Sequence, residues 1–139
     1  MKLYIRERGS AEALALTEDR GQDKLAVLDL TEVEARAAVR KRERQGDLSG
    51  EIAAAILSSL ERDLREAFLT QPSNSDVVKR AIRLLDLYPL KAYDAVQLAG
   101  CIVLGFSASP VILVSSDRQM VSAGLAEGLR VLNPETIQN

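Results

Sequence analysis

Short continuous apolar runs alternate along this chain with longer stretches in which apolar residues recur every three or four positions. LAVLDL at 25–30 and PVILVSSD at 110–117 are runs of the first kind and predict buried strands. FLTQP at 68–72 predicts a short edge strand, because Pro72 would stop further pairing, and RVLN at 130–133 a last short strand before Pro134. Helical spacing fills the intervals. Ala11, Leu14, Ala15 and Leu16 mark a short helix over 9–19, closed by Gly21. Thr31 is placed to cap a helix, with Glu34 at capping-box spacing, and Gly46 stands where a C′ glycine belongs. Asp47 and Ser49 start a second helical arm through Ile52, Ile56, Leu57, Leu60 and Leu64, so a helical hairpin is expected. Ser75 and Asp76 open a helix whose apolar face is Val77, Val78, Ala81, Leu84 and Leu85. After Pro89 comes KAYDAVQLAGCIVLG at 91–105, apolar almost all round and so expected at the centre of the core. An amphipathic helix follows Asp117.

Strands separated by helices imply an α/β fold with a mostly parallel sheet and right-handed crossovers. The 139 residues suit a single domain spanning 1–139, long enough for one ordinary core. With 47% hydrophobic and 27% charged residues, the chain has the balance of a globular protein and not of a disordered one. Cys101 has no second cysteine to pair with and lies in an apolar run, which reads as a buried structural thiol. Nothing in the opening residues has the makeup of a signal peptide, and the longest apolar stretch is interrupted by Gly105, Ser107, Ser109 and Pro110. A cytoplasmic protein with no membrane partner is the expectation.

The chain contains no histidine. That removes Ser-His and Cys-His nucleophile pairs, the commonest general base and the usual zinc ligands. Glycine-rich phosphate loops are also missing, and a net charge of −2 argues against a broad basic surface for nucleic acid. Carboxylates remain. In open parallel sheets the ligand site lies beyond the carboxyl ends of the strands. Glu34 follows the LAVLDL strand, Asp117 follows VILVSS, and Asp94 lies in the first turn of the helix after Pro89, so all three can face one patch. Carboxylates brought together repel one another, and a Mg²⁺ or Mn²⁺ ion would neutralise them. Each acid also has a purely structural explanation: Asp117 as an N-cap, Glu34 as the capping-box glutamate, Asp94 as a charge favouring a helix dipole. Asp29 reads as an extra acid that terminates its strand.

Beyond these local patterns, the chain resembles the PIN-domain family of the VapC toxins. LTEVEARAA resembles the family's acidic helix, with its acid at Glu34; LKAYDAVQLA resembles its most recognisable run, with its acid at Asp94; VILVSSDRQM resembles the strand and turn carrying the late acid, at Asp117; and RVLNP resembles its last strand. The likeness runs from KLYIRERGSAEA to VLNP. It implies a three-layer α/β/α sandwich and Mg²⁺- or Mn²⁺-dependent cleavage of single-stranded RNA, with Glu34, Asp94 and Asp117 as catalytic and metal-binding residues. A homodimer and inhibition by a VapB-like antitoxin are implied as well. A noncatalytic PIN-like module for protein–protein interaction is the alternative. A phospho-receiver domain also uses a parallel sheet and a carboxylate site, but its arrangement of acids and a late lysine is not found here.

Two departures accompany the resemblance. Family members open with a short strand carrying an aspartate, in a run like DTSALVKLY, whereas this chain begins MKLYIRERGS, so the usual first, central strand and its ligand have no counterpart. A misplaced start in the gene model or a shortened, degenerate member would account for it. Either way the strands at LAVL and VILV should pair directly or accept an element from a partner chain. Lys91 stands where arginine is more usual, which keeps the charge but loses the planar fork. Arg36, Arg40 and Arg44 form one helical stripe, able to bind phosphates or to pair with neighbouring acids. Tyr4, Phe68, Tyr88, Tyr93 and Phe106 are not interleaved with basic residues and read as core or interface, not as a base-stacking platform.

Overall fold

The computed structural model describes residues 3–4, 8, 10–18, 23–107 and 110–136. Helix α1 covers Ser10–Glu18 and contributes no buried residue. Strand β1 (Leu25–Leu28) leads into α2 (Thr31–Arg44), which turns back through α3 (Gly50–Glu66) to β2 (Phe68–Gln71). Helices α4 (Ser75–Leu87) and α5 (Ala92–Leu104) follow, then β3 (Ile112–Val114), α6 (Arg118–Ala126) and β4 (Arg130–Leu132). The fold class is α/β, as the alternation of periods implies.

The strands do not form one sheet. Among the described residues, β1 pairs in parallel with β2, from Leu25 opposite Phe68 to Leu28 opposite Gln71, and β3 pairs in parallel with β4, from Ile112 opposite Arg130 to Val114 opposite Leu132. The single sheet expected from the sequence is therefore corrected to two parallel ribbons, and β1 and β3 do not pair directly. What unites them is α5. Its buried residues Ala95, Leu98, Ala99, Gly100 and Ile102 lie in the same core as Leu28 of β1 and Leu113 of β3. Two glycines set the spacing: a Cβ on Gly100 would stand 2.5 Å from Leu28 Cδ1, and one on Gly124 of α6 would stand 2.7 Å from Leu113 Cδ2 and 3.2 Å from Val131 Cγ2. The helix of highest apolar content is thus the centre of the core, as its composition predicts.

The α2–α3 hairpin has a small core of its own, built on Val39, Ala53 and Leu57. Arg36 pairs with Glu61 across the hairpin and with Glu32 at 3.4 Å, and Arg40 pairs with Glu43 at 2.7 Å. Helix α2 ends in a Schellman motif: Gly46, at φ 82°, donates to the Glu43 carbonyl and Asp47 to that of Arg42, so the C′ reading of Gly46 holds. Gly128 closes α6 in the same way, at φ 81°, donating to Leu125 while Leu129 donates to Gly124. Ser49 caps α3 by accepting from the Ile52 amide at 3.2 Å, and Asn74 caps α4 by accepting from Asp76 and Val77, each at 3.1 Å.

The Thr31–Glu34 capping box does not form. Leu30 already has helical backbone angles and its carbonyl accepts from the Glu34 amide, so the helix begins one residue early and no side chain caps it. On α4, Val77, Ala81 and Leu84 are buried as expected, whereas Val78 and Leu85 face out and, with Ile82, make an exposed apolar stripe. Cys101 is half-buried and its thiol is pushed up to about 11 by that burial, in keeping with a structural role. No helix among the described residues is long and apolar enough to cross a membrane.

Candidate functional site

Three of the acids singled out in the sequence sit at the starts of helices, where a strand or loop hands over to the next element. Asp117 is the N-cap of α6: its Oδ1 accepts from the Met120 amide at 2.9 Å, while its own amide donates to Ser115 Oγ at 3.1 Å. Its structural role is therefore real, but Oδ2 takes no hydrogen bond from the described residues, and the side chain is exposed.

Asp94 lies in the first turn of α5 and is half-buried. None of the described residues donates a hydrogen bond to its carboxylate. Burial raises its pKa first, the negative charge of Asp117 raises it further, and Lys91 pulls it back down. The structure thus brings the acids of α5 and α6 within electrostatic reach of each other, although they lie 23 positions apart in sequence. A half-buried carboxylate with no donor, beside a second carboxylate, is costly to keep charged unless a cation is drawn in.

Glu34 is exposed in the first turn of α2 and joins this group at one remove, through Tyr93. The Tyr93 hydroxyl accepts from Gln97 Nε2 at 2.6 Å and donates, at 3.5 Å, to Thr31 Oγ1. Burial pushes its pKa up, the contacts with Thr31 and Gln97 oppose that, and the nearby Glu34 charge adds to the rise. Tyr93, read from sequence only as core or interface, is therefore the side chain that Glu34 acts on, and it immediately precedes Asp94 in the chain. No sequence signal distinguishes it from the other tyrosines.

Among the described residues, no three His, Cys, Asp or Glu side chains stand close enough together to hold one ion. The donor set that the geometry offers is the pair Asp94 and Asp117. Two hard carboxylates suit Mg²⁺ or Mn²⁺, since Mg²⁺ is commonly held by one or two carboxylates, with waters and substrate phosphates filling its octahedron. Asp29 is engaged elsewhere: its carboxylate accepts from Ser73 Oγ at 2.5 Å and the Ser73 amide at 3.1 Å, and the hydroxyl contact holds its pKa below the ordinary range. It ties the end of β1 to the loop after β2, as its strand-terminating reading requires.

The basic residues are redistributed relative to the sequence pattern. Arg36 and Arg40 of the α2 stripe are occupied by acids. On α4, by contrast, Lys79, Arg80 and Arg83 have no carboxylate within ion-pair distance among the described residues, and with Asp76, Val103 and Phe106 they line an open recess of about 350 Å³. Models of protein families and curated proteins were both compared with the sequence, and none of them matches it.

Proposed function

We propose that this chain is a PIN-like ribonuclease of the VapC kind, a Mg²⁺- or Mn²⁺-dependent endoribonuclease acting on single-stranded RNA. The observation that carries the reading is Asp94: a half-buried carboxylate with no hydrogen-bond donor among the described residues, its charge opposed by Asp117. Asp94 and Asp117 would hold the ion, which when bound supplies a nucleophilic water and stabilises charge on a phosphodiester. Glu34, exposed and close enough to Tyr93 to act on it, would make a water-mediated contact or orient the attacking water. Lys91, immediately before α5, offers a positive charge to a phosphate beside Asp94. The three-layer sandwich belongs to the same proposal. β1 and β3 each send a leucine into one core and, among the described residues, pair only with β2 and β4 respectively, so a strand between them would complete the central layer.

The test is cleavage of an end-labelled pool of single-stranded RNA with Mg²⁺ or Mn²⁺, beside Asp94→Asn. Metal-dependent cutting lost in the variant is the expected result. No cutting by either protein would reject the catalytic reading.

The second reading, a noncatalytic module that binds a VapB-like antitoxin or a second copy of itself, is favoured by different features. These are the sides of β1 and β3 that take no strand partner among the described residues, and the exposed apolar stripe of Val78, Ile82 and Leu85, which are 46%, 57% and 42% exposed. Unpaired strand edges and apolar stripes are the ordinary material of strand addition and of homodimer formation.

A further inference from the structure

Phe106 follows the end of α5 and is 74% exposed, an unusual position for a phenylalanine in a chain with so few aromatic residues. Its ring is not bare on both sides. The Arg80 guanidinium lies over it, 5.2 Å from the centroid, within the range of a cation–π contact. Arg80 belongs to a basic face of α4. At 100° per residue, Lys79 and Arg83 project together, Arg80 stands beside them, and this face is separate from both the buried face of Val77, Ala81 and Leu84 and the apolar stripe of Val78, Ile82 and Leu85. Three cations line the recess against one acid, Asp76, and none of the three is ion-paired with a described residue. Against a net charge of −2 for the whole chain, this is a local reversal of sign.

We propose that the recess formed by Lys79, Arg80, Arg83 and Phe106 binds a segment of single-stranded RNA, with a base stacked on the Phe106 ring and flanking phosphates on the three cations. The choice of RNA rests on the ribonuclease reading above; the site itself does not use Asp94, Asp117 or a metal. A flat exposed ring edged by unpaired cations is the pairing of features by which proteins hold single strands without reading their sequence, because every base has a π-face. An acidic protein partner would use the cations but gain nothing from the exposed face of the Phe106 ring. The spacing also fits. Lys79 and Arg83 are one turn apart, about 5–6 Å between their Cβ atoms, which suits consecutive phosphates of an extended strand. Phe106 lies roughly 18 Å along the α5 axis from Asp94, at about 1.5 Å per residue. The recess is therefore an accessory contact, several nucleotides away from the carboxylate pair.

The experiment is fluorescence anisotropy of a labelled oligouridine of about twelve nucleotides, within the usual site size for single strands, in EDTA so that nothing is cleaved. Phe106→Ala should weaken binding roughly fivefold or more, and Phe106→Tyr should restore it. Lys79→Glu combined with Arg83→Glu should weaken binding and reduce the slope of log affinity against log salt by about 1.4, at about 0.7 per phosphate for single strands. Binding that is indifferent to Phe106→Ala would overturn the proposal. So would a polyglutamate peptide that competes as well as unlabelled RNA, which would point to an acidic protein instead. The two readings fail separately. Phe106-dependent binding by a protein that never cleaves RNA keeps this site and removes the nuclease, and cleavage by a protein whose RNA affinity ignores Phe106 does the reverse.

Discussion

Asp117 holds two positions at once, cap and candidate ligand, and the two can be separated by substitution. Asn caps a helix about as well as Asp, whereas Ala does not. Asp117→Ala should cost about 1 kcal/mol of stability and Asp117→Asn almost none, read by denaturant unfolding, while both should abolish metal-dependent RNA cleavage. If the Asn variant cleaves normally, Asp117 is a cap and nothing more. Asp94 gives a signed pH dependence. Its folded pKa is raised above the ordinary 3.8, so the fold favours its neutral form. The stability it contributes is present below that value and is lost as pH rises through the folded pKa. Asp94→Asn should therefore melt higher than the parent at neutral pH, with the gap closing as pH falls toward 3.8. A gap that is constant with pH would show that Asp94 feels neither burial nor Asp117. At this scale the sequence was legible where one residue decides, as with Gly46 or the Asp117 cap. It was misleading where a one-residue offset decides: the Thr31–Glu34 spacing is right for a capping box, but Leu30 takes the cap position and Thr31 is already the first helical residue.

Among the elements, the predicted helices and strands are present within a residue or two of their expected ends, except that PVILVSSD forms a strand only over Ile112–Val114. Periodicity and stop signals are local, and the six helices and four strands among the described residues need only local signals. Packing between elements is less legible, because it depends on which small residues meet. Gly124 is the clearest case. Its helix lies so close to the β3–β4 ribbon that a methyl group would meet Leu113 and Val131 at once. Ala is favoured over Gly within a helix by about 1 kcal/mol, but overpacking a filled core costs about 1–3 kcal/mol. We expect Gly124→Ala to destabilise the protein by about 1 kcal/mol, and a stabilised variant in urea unfolding would contradict the close approach. Nothing in the run RQMVSAGLAEG marks that glycine as a spacer and not merely a tolerated helical residue.

For the whole molecule, the sequence suggested one sheet, and the chain folds as two ribbons on a shared helix. Local patterns identify strands but do not say which strands become neighbours, and the direct pairing of β1 with β3, one of the two arrangements expected, is not found among the described residues. The same holds for the recess on α4, since Arg80 and Phe106 are 26 positions apart and meet only after α4 packs on α5. The brevity of the ribbons has a further consequence. β1 and β2 have four residues each, and β3 and β4 have three, so each ladder is a few hydrogen bonds and, among the described residues, each strand has one edge without a partner. Leu84 of α4 and Leu98 of α5, by contrast, are almost entirely sealed from water. In deuterium exchange, the slowest amides of an α/β protein would ordinarily be sought in the middle of its sheet. Here they should lie in α4 and α5, with the strands exchanging first, so that the last memory of the fold on the way to unfolding is helical.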